Sequence, residues 1–311
     1  MRTLKGLELS RIFYERCGKP MLERQFAQYV DRIACGLAGE GSETFGYDDY
    51  VSRDHDFGCG FCLWLSDEDD KEIGDDLREA YLALPHSFLG YSLRDPCSYG
   101  VQRLSAMRIS DYYIKFTGHP RGPHTLLEWI RIPENFLAAA TSGEVFADPS
   151  GEFSAIRGRL LSFYPDDVRL CLIAWRAFMM GQAGQYNFFR SLSRGDNVAA
   201  SLALARFCEA ACSITYLLAR RYMPYYKWAH RGLKDISMLS DIYDLLSALL
   251  CDETPARRKV TLLEDICSLV IAEFKRQKLS ESGDSFMVSH CPCIREQIED
   301  ERIRNYVFIG E

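Results

Sequence analysis

Residues 39–58 read GEGSETFGYDDYVSRDHDFG, a loop of small residues that ends in two aspartates on alternate positions, Asp54 and Asp56. Like charges this close repel, and each raises the pKa of the other unless a positive charge stands between them. A divalent metal answers that requirement. From Asp54 to Leu65 the pattern has period two: His55, Phe57, Cys59, Phe61, Leu63 and Leu65 fall on one face of a predicted strand. The other face carries Asp54, Asp56, Gly58, Gly60, Cys62 and Trp64, so two carboxylates are followed by two glycines that leave open space beside them.

Upstream, the apolar positions Leu22, Phe26, Tyr29, Val30, Ile33 and Leu37 have a helical period, divided by Gly18 and Pro20 and stopped by Gly36 and Gly39. Downstream lies a run of acids, Asp67 to Glu79 with Lys71 and Arg78 interposed, which reads as the solvated start of a helix because the helix dipole favours negative charge there. A second strand is predicted over residues 107–116, MRISDYYIKF, with Ile109, Asp111, Tyr113 and Lys115 on one face. An unpaired acid in so apolar a strand is costly to bury, so Asp111 sits at an exposed edge or binds a metal. From about residue 152 the pattern is helical almost throughout, with segments predicted at 154–163, 166–193, 197–221, 224–234, 237–251 and 258–278. The chain therefore reads as an α/β N-terminal half, residues 1–151, followed by an all-helical half, residues 152–311.

Composition narrows the function. The 311 residues are 47% hydrophobic and 26% charged, values of a globular chain in which no long disordered stretch is expected. A formal net charge of -7 works against nonspecific binding of a polyanion, which makes nucleic acid a poor first candidate. No run of 18 or more apolar residues occurs, and the N-terminal segment lacks the apolar core of a signal peptide, so the expected location is cytoplasmic. There the 12 cysteines are expected as reduced thiols. Cys59 with Cys62, and His290 with Cys291 and Cys293, together offer a zinc set, yet nothing in the sequence brings the two segments together.

Gly41-Ser42, eleven residues, then Asp54-His55-Asp56 entering an apolar strand resembles the pattern of the nucleotidyltransferase superfamily, whose catalytic domain is polymerase-beta-like. The helical second half and the segments around Glu128-Trp129-Ile130 and VFADPSG are similar to aminoglycoside-type adenylyltransferases. The words GQYNFFR, SRGDN and YMPYYKW are closer to an uncharacterised bacterial family of nucleotidyltransferase-like proteins. The resemblance covers the chain to about residue 235.

It implies transfer of a nucleotide, AMP from ATP, to a hydroxyl of a small-molecule acceptor, with one or two Mg²⁺ ions. Gly41, Ser42 and Arg53 would then meet the phosphates, and Asp54 and Asp56 the metal, with Asp111 as third acid and Asp148 as its fallback. Small turns of this kind let backbone N–H groups approach phosphate oxygens, and in-line displacement needs the triphosphate held and its charge neutralised. In the helical half, Asn187, Arg190 and Arg194 form a polar stripe, and Lys227 with Trp228 opens a helix after Pro224. These are read as nucleotide contacts if that half closes over the first. The bland alternative is an ordinary surface, and for His55 a core histidine. A rival function is nucleotide binding without turnover, as in a regulator or antitoxin-like protein; another is transfer onto a protein.

Overall fold

A computed structural model describes residues 4–53, 57–95, 97–98 and 101–308. Helix α1 (Gly6–Phe13) runs through a π turn into α2 (Lys19–Gln25), and β1 (Ala34–Leu37) follows. A 3-10 turn (Glu43–Phe45), β2 (Cys62–Leu65) and α3 (Asp67–Leu82) come next. Two short ladders, β3 (Ser87–Phe88) with β4 (Tyr91–Ser92) and β5 (Cys97–Ser98) with β6 (Val101–Gln102), lead to β7 (Ser105–Arg108) and α4 (Ile109–Thr117). Then come α5 (Leu126–Arg131), α6 (Glu134–Thr141), β8 (Glu144–Ala147) and α7 (Glu152–Leu161). The remainder is helical: α8 (Asp166–Met179), a π-helical stretch (Met180–Phe188), α9 (Phe189–Ser193), α10 (Asn197–Leu218), α11 (Tyr226–Gly232), α12 (Asp241–Leu250), α13 (Ala256–Arg276), α14 (Cys291–Glu296) and α15 (Glu301–Arg304). The protein is α+β, a mixed four-stranded sheet with a helical C-terminal part.

The chain divides into two compact units. The first comprises Met1–Pro123 and Phe136–Ser162, the second His124–Asn135 and Phe163–Glu311. In the first, the sheet order is β7-β2-β1-β8. Strand β2 runs antiparallel to β1, pairing Leu63 with Cys35, and parallel to β7, pairing Trp64 with Met107. All four residues of β2 are buried, and Trp64 stacks on Phe153 of α7 with ring centroids 3.9 Å apart. Ser66 caps α3 by accepting the Asp69 N–H at 3.0 Å, and four acids fill its first turn as the dipole favours.

Three local expectations are corrected. The helix predicted to continue to Leu37 ends at Gln25, and Ala34–Leu37 is a strand. Because β1 is buried on both faces its apolar run carries no alternation, and it extends the helical period by coincidence. Of the strand predicted from Asp54 to Leu65, the described residues form a strand from Cys62 to Leu65, and Asp54–Asp56 lie outside the described residues. Its expected open face is filled: a Cβ on Gly60 would stand 2.6 Å from Leu104 Cδ1, and one on Gly58 would meet the Ser92 carbonyl. The strand predicted over 107–116 ends at Arg108 and becomes α4. Ile109, Tyr112, Tyr113 and Phe116 are its buried apolar residues, an i, i+3, i+4, i+7 set that identifies a helix.

In the second unit every helix expected after residue 163 is present, with ends displaced by a few residues. The predicted 166–193 helix is continuous but passes through nine π-helical residues, where Gly184 lets the backbone approach Phe207 and Leu263 closely. Helix α10 is long and apolar enough to cross a membrane by length and composition, with mean hydropathy 1.4, yet 56% of that window is buried among its neighbours as a central bundle helix requires. Buried Arg169 closes its C-terminal end, donating from Nε to Leu217 O at 2.9 Å and from Nη2 to Gln277 Oε1 at 2.5 Å; burial pushes its pKa down to about 10.

Candidate functional site

The turn after β1, Ala38 to Ser42, is the best-organised polar feature of the first unit. Gly39 and Gly41 have φ of +104° and +138°, values that side chains disfavour, and a Cβ on Gly41 would press within 2.6 Å of the Glu43 carboxylate. The turn is pinned from both sides. Ser142 Oγ accepts from Gly39 N at 3.2 Å and donates to Gly39 O at 2.7 Å, while Thr44 Oγ1 donates to Gly39 O and Gly41 O at 2.9 and 2.8 Å. Glu43 is buried beneath it in an ion pair with Arg94, Nη1 to Oε1 2.7 Å. Among the described residues the N–H groups of Glu40, Gly41 and Ser42 and the Ser42 hydroxyl make no hydrogen bond, so this rigid turn presents unused donors.

Beside the turn lies a cavity of about 90 Å³. Tyr112 and Phe116 of α4 form an aromatic wall, Met107 closes one end, and Glu40, Arg103, Asp111 and Lys115 supply the charges. Lys115 Nζ stands 2.8 Å from Glu40 Oε2, and Arg103 Nη2 donates to Glu40 O at 2.7 Å. Burial pushes the Cys62 thiol up to about 12. The lining thus carries two cations and two carboxylates, with free N–H donors and an aromatic wall beside them.

Asp54, His55 and Asp56 lie outside the described residues, as does the side chain of Arg53. Asp111 is not on a strand but in the first turn of α4, where Arg108 holds both its oxygens, Nε to Oδ2 at 2.7 Å and Nη2 to Oδ1 at 2.8 Å. The pair is exposed, with 43% and 47% of the two side chains in solvent. Asp148 is used as a cap, accepting Gly151 N at 3.1 Å and Ser154 N at 2.7 Å.

In the second unit Asn187, Arg190 and Arg194 are exposed, with Arg190 stacked 4.7 Å over the Tyr186 ring. Trp228 carries Lys227 at 5.1 Å and Arg231 at 5.6 Å from its ring. Cys59 and Cys62 are buried free thiols, and Cys291 and Cys293 are half-buried free thiols. Cys62 Sγ donates to Arg103 O and Cys291 Sγ to Ala174 O, while both His290 nitrogens are engaged, by Ser280 Oγ and Asp284 O at 2.9 Å each. Among the described residues no group of three or more His, Cys, Asp or Glu side chains could hold a metal.

Comparison with known proteins adds little to this geometry. A family model described as a domain of unknown function (DUF4037) matches residues 129–229. No curated protein matches the chain. A solved structure of a nucleotidyltransferase-like protein from Exiguobacterium sibiricum aligns with 86% of this chain and 80% of its own, at 11% identity and a TM-score of 0.35. A likeness so distant leaves the functional reading to the residues.

Sequence reasoning found the turn and missed Glu43, Arg94, Arg103 and Lys115. For Lys115 a signal existed: once α4 is recognised by its i, i+3, i+4, i+7 burial, Asp111 and Lys115 fall four apart on one face. Arg94 and Arg103 lie in loops whose composition marks no function.

Proposed function

We propose that the protein is a Mg²⁺-dependent nucleotidyltransferase that moves a nucleotide, AMP from ATP, onto a hydroxyl of a small-molecule acceptor, in the cytoplasm. The observation that carries the reading is the turn with unused N–H donors beside Arg103 and Lys115, placed just before the alternating carboxylates in sequence. In this reading Gly41 and Ser42 receive the triphosphate oxygens, and Lys115 exchanges its Glu40 partner for a phosphate. Asp54 and Asp56 hold the metal, which supplies charge neutralisation at the reacting phosphorus. Residues 1–151 form the catalytic part and residues 152–311 the closing part, with Arg53, Asn187, Arg190, Arg194, Lys227 and Trp228 as further nucleotide contacts.

A second reading is nucleotide binding without turnover, in which Asp111 keeps its Arg108 partner and takes no part in catalysis. Thermal unfolding with ATP, GTP, CTP and UTP, each with and without Mg²⁺, tests both. A ligand at about 100 times its Kd adds about 2.7 kcal/mol. A Mg²⁺-dependent shift that Asp54→Asn/Asp56→Asn and Lys115→Met abolish is the expected result. No shift with any nucleotide overturns the site; a shift without pyrophosphate release across a panel of hydroxyl acceptors selects the second reading.

A further inference from the structure

Among the described residues six that are not glycine have positive φ, and five of them have a local reason. Phe163, Arg220 and Lys278 each stand one residue past the C-cap of α7, α10 and α13, where left-handed backbone ends a helix. Leu89 lies in the two-residue turn between β3 and β4, and Leu239 in the turn before α12. Ser105, at φ +71°, differs from all of these: it lies in a strand, its N–H donating to Phe61 O at 3.0 Å and its Cα opposite Cys62.

The same residue carries a second cost. Ser105 is 3% exposed, and its hydroxyl makes no hydrogen bond among the described residues. A left-handed side chain and an unpaired buried hydroxyl each destabilise a fold, and nowhere else among the described residues do the two coincide. Glycine would relieve both. Strain of this kind is retained at binding sites, where the surroundings hold a group ready for a ligand.

The sheet indicates which site. The register of β7 on β2 pairs Ser105 with Cys62 and Met107 with Trp64, so Ser105 and Met107 share one face. Met107 lines the cavity beside the Gly39–Ser42 turn, and so does Arg103, two residues before Ser105. Tyr112 of α4, the wall of that cavity, packs its ring 5.6 Å from that of Trp64. An unused hydroxyl thus belongs to the sheet face beneath the cavity, flanked in sequence by two residues that line it.

We infer that Ser105 is a ligand-binding residue whose Oγ donates a hydrogen bond to a phosphate oxygen of the nucleotide, beside Arg103 and Lys115. This role rests on the nucleotide reading and adds to it a contact that no sequence motif marks.

Two variants of the full chain separate the hydroxyl from the strain. Ser105→Gly removes both, whereas Ser105→Ala removes the hydroxyl and keeps the left-handed side chain. Without ligand, Ser105→Gly should unfold at a higher temperature than the wild type and than Ser105→Ala. In calorimetric titration with ATP and Mg²⁺, both variants should bind about tenfold or more weaker than the wild type, the loss expected for a hydrogen bond to a charged group. A serine that served only the fold would not give a variant that gains stability and loses affinity. Wild-type affinity in both variants overturns the inference and leaves nucleotide binding standing. A Ser105→Gly midpoint below that of the wild type overturns it as well, because the hydroxyl then supports the fold. A wild type that binds none of ATP, GTP, CTP and UTP overturns the nucleotide reading, and the role of Ser105 with it.

Discussion

Replacing Glu43 by Gln keeps the shape of the side chain under the Gly39–Ser42 turn and removes its charge. Arg94 is then a buried guanidinium, its side chain 8% exposed, without a counter-ion. Removing one partner of a buried pair costs about 3–5 kcal/mol, and because the amide still accepts one hydrogen bond the lower figure, about 3 kcal/mol, applies here. Hydrogen exchange followed by mass spectrometry reads each unit separately. Amides of β1 should exchange on the order of a hundredfold faster under native conditions, the factor that about 3 kcal/mol corresponds to, while those of α10 in the other unit stay unchanged. In urea, with a slope of about 2 kcal/mol per molar, the first unit's midpoint falls by about 1.5 M. Glu43→Gln/Arg94→Met, which removes both charges, should lose less than Glu43→Gln alone. A loss below about 1 kcal/mol for Glu43→Gln, or a double variant worse than the single, would refute the claim that this pair sets the turn.

Acid should destabilise the second unit: Arg302 pulls Asp300 down to about 2, Ser289 and the Phe286 N–H lower Asp284, and Glu273, which burial alone would raise, is brought below its usual value by Arg276 and Gln277. Folded-state values below the unfolded ones mean stability that is complete above about pH 5 and is lost as pH falls through the folded values, so the calorimetric midpoint should drop between about pH 4 and pH 2, and less steeply in Asp300→Asn. Cys251 is exposed, whereas burial pushes Cys208 and Cys212 of α10 up to about 12; iodoacetamide near neutral pH should label Cys251 first and the α10 pair only in denaturant, as peptide mass spectrometry would show.

Much of the architecture was legible in the residues, and the reasons are particular. The helices after residue 163 repeat their apolar positions at helical spacing over lengths that leave no alternative, and turn residues such as Gly195, at φ +74°, separate them. The acid-rich start of α3 declared itself by charge. The short buried strand β1 was not legible: it lies inside the sheet with both faces covered, so it does not alternate, and four residues of an apolar run fit helix or strand equally well, whereas β2 falls within the strand predicted to end at Leu65. The π-helical stretch before α9 left no mark in composition, since it answers to the neighbours that Gly181 and Gly184 approach.

The candidate site divides the same way. The sequence by itself determined the glycine turn, because positive φ and close approach demand Gly39 and Gly41 in any fold that uses them. Only the tertiary structure decided which cations stand beside it: Glu43 meets Arg94, 51 residues on, and Glu40 meets Lys115, 75 residues on. It likewise moved Asp111 from the strand expected for it to the first turn of α4 beside Arg108, since a residue's periodicity states which face it occupies in one assumed element, and only folding states which element that is. Local backbone demands are written in adjacent residues; charge pairing across the sheet is not, because it depends on distances that exist only once the chain has closed on itself.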